Sequence, residues 1–199
     1  MSVDAVVFDV GGVLVDWRPH LAWAPELGEE GALAFLERSD FTARNARADA
    51  GARFSDLAAE IDDPEDAARL AAYPALYGRT VRAEVPGTWE IVRALKARGT
   101  PVHAITNWSA ETWAAGVAAH PRLGDAFGTV VISGREGIAK PDARIFGRLC
   151  ERAGIAPGRC LFVDDAAPNV EGARAAGMAG HHFRGADALR ADLTGRGLL

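Results

Sequence analysis

The chain has 199 residues, of which 49% are hydrophobic and 25% charged, and its formal net charge is −5. That is the composition of a globular protein with a sizeable core, and it excludes a disordered or fibrous chain. No basic run offers itself to a nucleic-acid backbone, and no apolar stretch approaches the roughly 18 residues of a membrane span, so neither partner is expected. The N-terminus carries no basic leader, and its apolar run is broken at Asp9. Cys150 and Cys160 show neither CxxC spacing nor a paired framework. They read as reduced core thiols, which points to a cytoplasmic location.

In chain order, the first predicted element is a strand from Val3 to Phe8 that stops at Asp9. The segment from Trp17 to Val85 then departs from strand patterning. It is rich in Ala, Arg, Asp and Glu, with amphipathic helical stretches from Gly28 to Arg38, Phe54 to Ile61 and Pro64 to Tyr73. Pro86-Gly87 punctuates the return to alternating elements. A helix over Thr88–Arg98 precedes a strand from Pro101 to Thr106, and a helix over Ala110–Ala119 precedes a strand from Thr129 to Ser133. A helix from Asp142 to Ala153 leads to a strand at Cys160–Val163, and a helix from Asn169 to Ala176 leads to a last strand at Ala179–Phe183. These strands are continuous apolar runs rather than alternating ones, as suits strands buried on both faces of a parallel sheet. The expected fold is α/β: a doubly wound parallel sheet, residues 1–16 and 86–199, with a small helical cap inserted at 17–85.

In such a sheet, ligands bind beyond the carboxyl ends of the strands. Here those ends carry Asp9, Thr106-Asn107 and Asp164-Asp165, while the third strand leads through a glycine-punctuated loop to Lys140-Pro141. Three carboxylates, an ammonium, a hydroxyl and an amide would share one crevice. Carboxylates hold a divalent cation through hard oxygens, Lys and Thr engage phosphate oxygens, and a free carboxylate can act as nucleophile. Three acids at one edge repel one another unless a cation sits among them, so the pattern itself asks for a metal.

Four segments in register carry a resemblance to the haloacid dehalogenase superfamily: Phe8-Asp9-Val10-Gly11-Gly12-Val13, Ile105-Thr106-Asn107, Ile138-Ala139-Lys140-Pro141-Asp142 and Phe162-Val163-Asp164-Asp165. The resemblance spans nearly the whole chain and places the insert where the family has a C1-type cap. It implies a Rossmann-like core and Mg²⁺-dependent hydrolysis of a phosphate monoester. Asp9 would be the nucleophile, Lys140 would stabilise charge on phosphate and nucleophile, and Thr106 and Asn107 would contact phosphate. Asp9, the carbonyl of Gly11 and Asp165 would bind Mg²⁺ directly, with Asp164 bound through water. The first segment and the run Lys140–Phe146 most resemble small bacterial sugar-phosphate phosphatases, so the implied partner is a small phosphorylated metabolite.

One departure stands out. Most members carry a second aspartate, the general acid and base, two residues after the nucleophile, and Gly11 occupies that place. A missing acid favours esters with good leaving groups, unless Asp16 or a cap residue supplies the proton. Trp17, Trp23, Arg44 and Asn45 are candidates for the pocket wall, although core packing for the tryptophans and a solvated face for Arg44 explain them as well. The alternatives to a phosphatase are a 2-haloacid dehalogenase, which the paired acids disfavour, and an inactive phosphate-binding module.

Overall fold

The computed structural model describes residues 3–199. Strand β1 (Ala5–Phe8) runs into a tight loop and β2 (Val15–Asp16). There follow α1 (Ala24–Arg38), α2 (Phe41–Asp49), α3 (Phe54–Ala58), α4 (Pro64–Ala71) and α5 (Tyr73–Leu76), and then β3 (Ala83–Glu84), which pairs antiparallel with β2. The rest alternates: α6 (Thr88–Ala97), β4 (Val102–Thr106), α7 (Trp113–Ala119), β5 (Val130–Ile132), the short α8 (Ser133–Glu136) and α9 (Ala143–Ala153). It ends with β6 (Cys160–Asp164), α10 (Ala167–Ala175), β7 (Ala179–His182) and α11 (Ala186–Gly195).

The main sheet is parallel throughout, in the order β5-β4-β1-β6-β7. The side chains of its central strands alternate between two apolar layers, which is why those strands are mostly apolar. Val6, Phe8, Leu161 and Val163 pack with Ile91 and Leu95 of α6 and Leu189 of α11. Their neighbours Val7, Ile105, Val131 and Phe162 pack on the other face with Ile145, Phe146 and Leu149 of α9. This is the doubly wound α/β architecture expected from the apolar runs. From β1 the chain moves outward through β4 and β5, then returns to the far side through β6 and β7, so the crevice opens beyond the carboxyl end of β1.

Local chemistry fixes the element ends. Asp142 is the N-cap of α9, accepting from the Arg144 amide at 2.9 Å, and Gly154 ends that helix in the left-handed region. Asp63 caps α4 by accepting from the amides of Glu65 and Asp66, with Pro64 at the first position. Gly28, the expected start of a helix, is a break inside α1 (φ 71°).

The helices between β2 and β3 hold an aromatic cluster. Trp23 stacks on Tyr73 with centroids 5.2 Å apart and meets Phe35 edge-on at 4.6 Å. Tyr77 carries the cluster to the core by packing on Trp108 at 5.3 Å. Among the described residues, no helix is long and apolar enough to cross a membrane.

Candidate active site

The loop that leaves β1 doubles back at once: the amides of Leu14 and Val15 both donate to the Val10 carbonyl, and that of Gly12 to the Val15 carbonyl. The turn holds Asp9 at the strand end, where its Oδ1 accepts from the Val10 amide at 2.7 Å and pairs with Lys140 Nζ at 2.8 Å. Lys140 arrives from the loop after β5 and is buried. Its ammonium donates to Asp9, to Asp164 Oδ2 at 2.7 Å and to the Ile105 carbonyl at 3.2 Å, so all three protons are placed. Burial works against this ammonium, but Asp9 and Asp164 beside it raise its pKa, and Lys140 stays charged.

Asp164 ends β6 and is fully buried. Besides Lys140 it accepts from the Ala166 amide at 2.8 Å and from Asn169 Nδ2 at 3.0 and 3.1 Å. Asp165 is more open, and its carbonyl accepts from His182 Nε2 at 2.9 Å. Oxygens of Asp9, Asp164 and Asp165 lie within 4.8 Å of one another. Burial, outweighing the pull of Lys140, pushes Asp9 up to about 8, with Asp164 adding to the rise. Burial and Asp164 likewise raise Asp165. One ammonium does not balance three carboxylates in this space.

Two glycines keep the site open. Gly12 has φ +73°, and a Cβ there would stand 2.4 Å from Asp165 Oδ2, so only glycine admits the carboxylate. At Gly11 a Cβ would meet nothing within 4 Å.

Thr106 and Asn107 sit at the end of β4, as their strand position requires. Thr106 is buried. The Asn107 amide is spent on Lys140, donating to its carbonyl at 3.0 Å and accepting from its backbone N–H at 2.8 Å. It therefore positions the lysine loop. Asn169, absent from the sequence expectations, orients Asp164 in the same way. Its only sequence signal is an amide in the first turn after the paired acids.

A cavity of about 60 Å³ lies between this site and the inserted helices. Gly11 and Asn107 line it from the core, and Trp17, Tyr77 and Trp108 supply aromatic walls. Asn45 and Asp49 of α2 face it from the insert. Trp17 and Asn45 thus stand where a pocket wall was one reading of them. Trp23 is instead core, and Arg44 is tied to the Leu57 and Ser39 carbonyls. Asp49 was not anticipated. Its Oδ2 accepts from Asn45 Nδ2 at 3.0 Å. Burial pushes it up to about 7 against the pull of Lys140.

The site is a cluster of acids at the switch point of a parallel α/β sheet, one of them fixed by a buried lysine, which is where an enzyme of this architecture binds its ligand. Residues 3–177 match the family model described as haloacid dehalogenase-like hydrolase, and the chain belongs to that family. A phosphoglycolate phosphatase of Thiobacillus denitrificans is 30% identical, over 89% of this chain and 81% of its own. The sesquiterpene phosphatase astK of Aspergillus oryzae is 28% identical, over 90% of this chain and 89% of its own. With these relatives the chain stands among the family's phosphohydrolases. A haloacid dehalogenase-family enzyme of Bacteroides thetaiotaomicron, solved with magnesium and inorganic phosphate, shares the fold at a TM-score of 0.67. It is 18% identical, and the match covers 92% of this chain and 96% of that one.

Proposed function

We propose that the chain is a magnesium-dependent phosphatase of small phosphate monoesters, sugar phosphates foremost, working through an aspartyl-phosphate on Asp9. The observation that carries the reading is the convergence of Asp9, Asp164 and Asp165, the first two paired with one buried ammonium. The donor set fits Mg²⁺: hard oxygens only, clustered within 4.8 Å, with negative charge left over. Oxygens on opposite sides of an ion bound at about 2.1 Å stand about 4.2 Å apart, close to this spread. Asp9, the Gly11 carbonyl and Asp165 would hold the ion. Asp164, already committed to Lys140 and Asn169, would stand behind them through water. Bound there, Mg²⁺ would offset the negative charge of the phosphate and of the clustered acids.

The side chains divide the remaining work. Oδ1 of Asp9 is tied to Val10 and Lys140, which leaves Oδ2 to attack phosphorus. Lys140 holds Asp9 in place, opposes the rise that burial imposes on its pKa and adds positive charge beside the phosphate; Thr106 supplies a hydroxyl at the strand end. Residues 17–85 act as a cap, hinged at the paired strands β2 and β3, which limits water and selects the alcohol. Aromatic walls beside Asn45 and Thr112 suit a group with one apolar face and several hydroxyls, as in a sugar ring. Two buried free thiols fit a reducing, cytoplasmic setting.

The test is phosphate release from a panel of phosphorylated metabolites, with Mg²⁺ or with chelator. Hydrolysis with Mg²⁺ alone supports the reading. No hydrolysis of any ester, or halide release from a 2-haloacid in chelator, refutes it.

A further inference from the structure

An alkyl or sugar phosphate releases an alkoxide unless a proton reaches the departing oxygen, and the position two residues beyond Asp9 holds no acid. Asp16 does not replace it. Its carboxylate pairs with Arg18 at 2.8 Å and lines a separate depression with Arg18 and Thr80. Glu111 accepts from the Phe54 amide and stands near Arg53, and it does not line the cavity. Around the cavity that Gly11 opens onto, one carboxyl group remains among the described residues, and it comes from the insert.

We propose that Asp49 is the general acid and base of this enzyme, delivered to the substrate from the cap. The inference rests on the phosphatase reading and deepens it. Asn45 fixes one oxygen of Asp49, and Asp49 shares its cavity with Gly11 and Asn107 of the core, so the group stands at the cap–core boundary. Gly11 and Asp49 line the same cavity, and a Cβ at Gly11 would meet nothing within 4 Å. The charged or titratable groups that sense Asp49 are Lys140 from the core and Tyr73 and Tyr77 from the insert. Burial keeps the carboxyl protonated to about pH 7, where an acid of this role belongs.

The steps balance. Asp9 Oδ2 forms a bond to phosphorus, the bond from phosphorus to the ester oxygen breaks, and that oxygen keeps the electron pair and takes the Asp49 proton. Alcohol leaves. The Asp49 carboxylate then removes a proton from water as the water oxygen attacks phosphorus. The bond to Asp9 breaks with its electron pair returning to the carboxylate, and phosphate departs with Asp49 protonated again.

The experiment compares wild type, Asp49→Asn and Asp49→Asn with Gly11→Asp on esters of graded leaving-group pKa, all with Mg²⁺ below pH 7. Asp49→Asn should lose about 10²–10⁴ in kcat/KM on alkyl and sugar phosphates. The pre-steady-state burst of phenol from activated aryl phosphates should stay within a few-fold of wild type, because an acidic phenol leaves without a proton. Gly11→Asp, placed in the free space at residue 11, should restore at least tenfold of the alkyl activity. In wild type the dependence on leaving-group pKa should be shallow, a readout that no variant's folding affects. A steep wild-type dependence, or equal losses on every leaving group in Asp49→Asn, overturns the role of Asp49 and leaves the phosphatase reading standing. Absence of Mg²⁺-stimulated hydrolysis in wild type overturns both.

Discussion

Asp9→Asn should make the metal-free protein more stable while it abolishes turnover. Asparagine keeps the shape and an oxygen at the Oδ1 position, so the contacts from the Val10 amide at 2.7 Å and Lys140 Nζ at 2.8 Å survive. What disappears is a buried charge. Burial raises the Asp9 pKa from 3.8 to about 8, chiefly against Lys140 and with help from Asp164. A carboxyl whose folded pKa lies above its unfolded one leaves stability intact below the unfolded value and lowers it steadily as pH rises to the folded value. A rise of this size corresponds to at most about 5 kcal/mol near pH 8. The buried amide has its own desolvation cost, so a net gain of about 2–3 kcal/mol is expected. In a chain of this length that is a rise of about 4–12 °C in melting temperature. Excess Mg²⁺ should close the gap, since a ligand at a hundred times its Kd stabilises wild type by about 2.7 kcal/mol and the variant by less. Urea denaturation of both proteins near pH 8, in chelator and in Mg²⁺, measures this. An asparagine variant less stable than wild type in chelator would refute the reasoning, since it would show Lys140 and Asp9 to be a net-stabilising pair that needs no further cation.

Other expectations follow from single contacts. Gly12→Ala puts a methyl against Asp165 at a backbone conformation alanine resists, and should weaken Mg²⁺ binding by calorimetry about tenfold or more while leaving a folded protein. Lys140→Met leaves Asp9 and Asp164 buried without their cation; denaturation in chelator should show a loss of about 3–5 kcal/mol, partly recovered in Mg²⁺. Asn169→Ala removes both side-chain contacts to Asp164, and turnover should fall by roughly 10–100-fold with KM for the ester nearly unchanged.

Particular elements show why the sequence carried so much of the fold. Strands β1, β4 and β6 are buried on both faces, so their runs are apolar apart from His103 until the strand ends, where the candidate site residues stand. Their parallel pairing then brings Asp9, Thr106 and Asp164 to one edge without any detail of side-chain packing. Helix α2 was illegible by the same logic. Of its nine residues only Phe41 and Ala48 are buried, and its alanines and arginines trace no apolar stripe. Asp49 stands at the end of that helix, so nothing local distinguished it from the other acids of the insert. Its place beside Gly11 follows from how the insert packs on Trp108, a long-range contact that periodicity does not encode. Asn107 was legible as a strand-end amide, but its double hydrogen bond to the Lys140 backbone depends on where the loop after β5 comes to rest.

The central claim is covalent catalysis by Asp9, and its most direct test is to catch the intermediate. The enzyme is mixed with an aryl phosphate and Mg²⁺, quenched in acid within the first turnover, and digested for peptide mass mapping. The account predicts one added phosphoryl group on the peptide containing Asp9, absent in chelator and absent in Asp9→Asn. Turnover with no phosphoryl adduct at any time, or an adduct on another residue, would contradict it.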